Sequence, residues 1–205
     1  MRKANNILAY LMLVLGSMQL LLILASWIVT SVWRGAPLRS LISSEGIRWF
    51  FGEFVSNMAS PLLVWLLLLS IAYGIYCKSG LKLGTHLFIH KKRLQFRQLF
   101  ALWTTLIVAF LYILIIVLLS CTPHAVLLSS TGKLFPSSFS NSLVPIIAFG
   151  IVSFSIVYGL LSNTFKTIHD IFKALSVGMV STMSLWIIYI LGAQLYHSLI
   201  FVMRI

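Results

Sequence analysis

Acidic residues are almost absent. Glu45, Glu53 and Asp170 are the only three among 205 residues, against 15 Lys and Arg. So few carboxylates provide no paired Asp/Glu for acid–base catalysis. All three fall between the long apolar runs, so a proton or sodium relay through a bilayer finds no carrier among them. Cysteine is scarce too. Cys77 and Cys121 are expected at opposite membrane faces, which argues against a disulfide between them, and with no CxxC pair or His/Cys cluster a zinc site has no support. No Ser/His/Asp set or phosphate-binding glycine loop is present. The chain does not read as an enzyme and implies no cofactor. Charged residues make up 9% of it, where a soluble domain carries about 25%.

What is abundant is apolar surface, at 60% of residues. Runs over 7–30, 60–77, 98–120, 143–162 and 174–203 reach or approach the roughly 18 apolar residues needed to span a bilayer. The sequence therefore predicts one all-α integral membrane domain, 1–205, of about five transmembrane helices. The first run is long for a signal core and ends at Trp33-Arg34 without a small-x-small site, so it reads as a retained helix. A net charge of +12 would suggest nucleic acid in a soluble protein. Here it is topological. Arg2, Lys3, Lys78, Lys82, Lys91, Lys92, Arg93, Arg97, Lys166 and Lys173 flank one set of span ends, and Arg34, Arg39, Arg48, Lys133 and Arg204 the other. This bias predicts a multi-pass protein of the bacterial cytoplasmic (inner) membrane with its N-terminus in the cytoplasm.

Three patches recur in order at an offset of about 85 residues, as an internal duplication would leave them. The stretch 37–46 matches 123–132 at Pro, Leu, two Ser and Gly; Ser56-Asn57-x-x-x-Pro61 matches Ser140-Asn141-x-x-x-Pro145; and Ser70-Ile71-Ala72-Tyr73-Gly74 matches Ser155-Ile156-Val157-Tyr158-Gly159. The expected organisation is a helix-pair unit over about 7–80, a second over about 97–166, and an extra helix over 174–203. Secondary transporters often carry such repeats.

The same residues carry a family likeness. Leu41-Ile42-Ser43-Ser44-Glu45-Gly46-Ile47-Arg48-Trp49, Ser56-Asn57 and Lys78-Ser79-Gly80-Leu81 resemble the N-terminal region of the AbgT family, the p-aminobenzoyl-glutamate transporters. Val144-Pro145-Ile146-Ile147, Tyr158-Gly159, Lys166, Asp170, Lys173-Ala174 and Ala193-Gln194 resemble its later part, in the same order. The resemblance implies transport of p-aminobenzoyl-glutamate or related small aromatic compounds. It also implies two re-entrant hairpins that hold substrate and cation, and neither is legible here; the chain reaches Ile205 where the family continues into its second. The expectation is a shortened member acting as a homo-oligomer or with a membrane partner protein. The alternative is a non-transporting scaffold or accessory subunit that kept only the framework helices.

Substrate candidates are Tyr73, Tyr158, Ser155, Gln194 and Gln19, with interhelical hydrogen bonding the plainer role of the two glutamines and close helix packing that of the Ser-x-x-x-Gly pairs. No ionisable group is read deep within a span. Asn57 and Asn141, each four residues before a proline, read as helix N-caps. Asp170 reads as a salt-bridge partner of Lys166 or Lys173, and Ser44 to Val55 as one interfacial amphipathic helix. Trp27, Trp33, Trp49 and Trp103 read as belt residues, and Lys91, Lys92 and Arg93 as a site for anionic lipid head groups of the bilayer.

Overall fold

The computed structural model describes residues 2–33, 35, 37–90, 95–121 and 138–204. Lys91, Lys92, Arg93 and the 123–132 patch lie outside them, as does the side chain of Cys121. Among the described residues every regular element is a helix: α1 (Arg2–Val32), α2 (Ser44–Gly52), α3 (Phe54–Met58), α4 (Pro61–Lys78), α5 (Leu81–Ile89), α6 (Phe96–Cys121), α7 (Ser138–Leu161), α8 (Ile168–Ser181) and α9 (Met183–Met203). Five stretches are long and apolar enough to cross a membrane: Asn6–Val32, Pro61–Lys78, Phe96–Ser120, Ser138–Leu161 and Met183–Met203. The all-α, five-span reading holds. Its fifth span does not begin at 174. The helix breaks at Thr182, and 174–181 belong to α8.

The chain divides into two compact units, Met1–Val64 with Thr182–Ile205, and Trp65–Ser181. In the second, Ile75, Phe165 and Ala174 form one buried cluster and Leu81, Ala101, Leu102 and Tyr158 another. α4 and α8 meet backbone to backbone, because Gly74 and Gly178 leave no side chain between them; a methyl group at Gly178 would overlap the Ser70 carbonyl. Half of the expected basic loop is helix α5, whose Gly84 admits the Tyr158 hydroxyl. Asn163, at φ 64°, turns the chain just beyond the end of α7, and Arg97 donates to the Leu161 carbonyl there at 3.0 Å.

Asp170 is not the expected salt-bridge partner. Its carboxylate accepts from the backbone N–H groups of Lys166 (3.0 Å) and Thr167 (2.9 Å), while the Thr167 hydroxyl accepts from the Asp170 N–H. This is a capping box at the start of α8. Those backbone donors hold the Asp170 carboxyl below its ordinary value.

In the first unit α1 and α9 pack together along their lengths, around Leu41, Phe201 and Val202. The segment read as one interfacial helix is two, interrupted at Glu53, and it runs along α9. Trp49 stacks on Phe201 at 4.4 Å between ring centroids, Asn57 reaches Gln194, and Ser60 reaches Tyr189. Trp49 is therefore packed where a belt residue would be free, while Trp27, Trp33 and Trp103 are exposed. Ile47, Phe51 and Val55 form an outward apolar face.

Candidate functional site

Two glutamines lie near the centres of their span-length helices, Gln19 in Asn6–Val32 and Gln194 in Met183–Met203. A span is a costly place for an amide, since each unmet donor or acceptor there lacks water. Gln19 Nε2 donates to Ser198 Oγ at 3.0 Å, and Asn57 Nδ2 donates to Gln194 Oε1 at 3.5 Å. All four residues are buried. Gln194 and Ser198 stand one turn apart on α9, so a single helix face gathers partners from α1 and α3.

The pairing is incomplete. Gln19 Oε1 and Gln194 Nε2 have no partner among the described residues. Rotating the Gln19 amide turns Oε1 to the Ser198 hydroxyl and leaves Nε2 unpaired instead, while rotating the Gln194 amide alone sets Nε2 against Asn57 Nδ2, donor against donor, so neither change removes the deficit. An unmet acceptor and an unmet donor thus remain at the centre of this unit, each costing about 1–3 kcal/mol until something pairs with it.

Beside this pair the backbone itself is interrupted. Between α3 and α4 the chain leaves helical geometry at Ala59 and Ser60, and irregular backbone at span depth needs local partners or a cavity. It has both. The Tyr189 hydroxyl donates to the Met58 carbonyl at 2.7 Å, and since that uses its one hydrogen, Ser60 Oγ donates to Tyr189 at 2.8 Å. A cavity of about 390 Å³ opens alongside, lined by Asn57, Ser60, Tyr189, Gly192, Tyr196 and His197 among others. Its aromatic and hydroxyl lining suits a small planar ligand with one polar end.

Gln19 and Gln194 are thus gathered at one face of α9, through Ser198 and Asn57, and of these four residues Asn57 alone lines the cavity. Tyr73, Tyr158 and Ser155 belong to the other unit, where Tyr158 is 2% exposed in the core and Tyr73 is 48% exposed. Ser155 is buried, and its Oγ is unpartnered among the described residues. Two residues counterparts by sequence therefore have different surroundings, and Pro61 opens α4 whereas Pro145 lies inside α7. Asn57 is not a helix cap, because its side chain turns to Gln194; Asn141 is within the first turn of α7, which begins before it. His197 is an ionisable side chain within a span, contrary to expectation. Its signal was available as a titratable residue inside an apolar run, and the Gln194-x-x-x-Ser198 spacing could have been read as a polar face.

Among the described residues no group of three or more metal-ligating side chains occurs. A family model, that of the AbgT putative transporter family, matches residues 85–201. Comparison with curated proteins and with solved structures gives no match.

Proposed function

The chain belongs to the AbgT transporter family, and from that premise we propose that it serves the passage of p-aminobenzoyl-glutamate or a related small aromatic compound across the bacterial inner membrane, N-terminus in the cytoplasm, with a second copy or a membrane partner. The observation that carries this is the cavity at the α3–α4 break, lined by Asn57, Ser60, Tyr189 and Tyr196, with Asn57 held from behind by Gln194. A ligand amide or carboxyl group would meet Asn57 and Ser60 while its ring lies against Tyr189 and Tyr196. Tyr73, Tyr158 and Ser155 belong to the other unit and are proposed as substrate contacts there. Binding at span depth beside interrupted helices is how secondary transporters hold substrate.

The test is flux of labelled p-aminobenzoyl-glutamate in cells expressing the chain. Saturable movement above empty-vector cells is expected, falling about tenfold or more in Gln194→Leu, which removes a polar end without changing size much. The purified chain alone is not expected to couple flux to an ion gradient, because no acid lies in any of its spans. Wild-type cells matching empty-vector cells at equal expression would overturn the reading in favour of a scaffold or accessory subunit.

A further inference from the structure

A second cavity, of about 330 Å³, lies at the C-terminal end of α9 and has the opposite chemistry from the first. Arg39, Arg204 and His197 line it with Trp49, Asn57 and Phe201, and no carboxylate is among its lining residues. Arginine side chains at a helix C-terminus have an ordinary use, hydrogen-bonding its last carbonyls. Here that use is taken by the backbone: the Arg39 N–H donates to the Val202 carbonyl at 3.0 Å, and the Arg204 N–H to that of Ile200. The guanidinium groups are left for other partners. Arg39 Nη1 lies 3.4 Å from Glu45 Oε1, an outlying and well-exposed pair of small worth that occupies one of five donors. Its Cζ sits 5.5 Å from the centre of the Phe201 ring, which in turn stacks on Trp49. The aromatic pair holds the guanidinium at the wall of the cavity by a cation–π contact.

We propose that this cavity is an oxyanion site, binding one carboxylate or phosphate group through Arg39 and Arg204 with its apolar remainder against Trp49 and Phe201. The chemistry fits a soluble carboxylate and the phosphate of an anionic lipid alike, since both present two oxygens to a planar guanidinium. The site adjoins the cavity of the transport reading and shares Asn57 and His197 with it, but Arg39 and Arg204 line this one and not the other.

The full chain in phosphatidylcholine nanodiscs is titrated with benzoate, followed by saturation-transfer NMR, with benzamide as the uncharged control. In parallel, nanodiscs containing phosphatidylglycerol are analysed for lipid retained on the protein by native mass spectrometry. Arg39→Gln with Arg204→Gln is expected to lower the binding of at least one anion by about tenfold or more, with benzamide and phosphatidylcholine unaffected. Arg204→Gln alone, a change to an exposed side chain, gives the same direction without disturbing the Arg39 contacts. Loss confined to benzoate identifies a soluble carboxylate as the ligand, and loss confined to phosphatidylglycerol identifies a lipid phosphate. Unchanged binding of both anions in both variants, or benzamide binding as well as benzoate, would overturn the proposal.

Discussion

Glutamine in a helix centre is where a single side chain decides most. The Gln19–Ser198 bond is short and the Asn57–Gln194 bond long, so their coupling energies should differ. Interhelical side-chain bonds in membrane proteins average about 0.6 kcal/mol and reach about 1.7. Double-mutant cycles on Gln19→Ala/Ser198→Ala and Asn57→Ala/Gln194→Ala, measured by detergent unfolding, should place the first pair toward the upper value and the second below it; the reverse order would contradict the geometry. Asp170 offers a pH test. A carboxyl held below its ordinary value stabilises the fold fully above the ordinary carboxylate range and loses that contribution as pH falls through the lowered value. The difference in unfolding midpoint between wild type and Asp170→Asn should therefore shrink on acidification. Gln19 and Gln194 could be picked out from sequence because polarity inside an apolar run is visible. The roles of Asn57 and Asp170 could not, because each depends on which donor lies nearest in space.

At the scale of elements, run length was a good guide and punctuation a poor one. The apolar spans declared themselves through hydropathy, but the break at Thr182 carries no proline or glycine and is marked only by the hydroxyl residues Ser181, Thr182 and Ser184. Lysines concealed α5, which packs one side against α6 and α7. The α2–α3 segment has the amphipathic pattern expected of a helix lying flat, yet it follows α9 from Phe201 to Tyr189, roughly 18 Å at 1.5 Å per residue. A depth gradient should follow. Spin labels at Ile47, Phe51 and Val55 in turn should show rising accessibility to oxygen relative to a water-soluble nickel reagent, and equal values at all three would restore the flat helix.

For the whole molecule, the charge bias predicts an N-terminus in the cytoplasm and, if all five candidate spans cross, a C-terminus on the opposite side. A membrane-impermeant thiol reagent applied to intact cells should label Cys121 and spare Cys77, and the opposite pattern would reverse the topology. The division into two units was not legible, since hydropathy marks how many helices cross and says nothing of which pack together. One joint within the second unit has a bearing on how the protein should be mutagenised. At Gly74 and Gly178 the contact is made of main chain alone, so there is nothing to truncate, and an alanine scan, which elsewhere subtracts atoms, would here be inserting them. Its readout at those two positions is inverted: sensitivity to alanine would report crowding, and the informative series runs upward in volume from glycine.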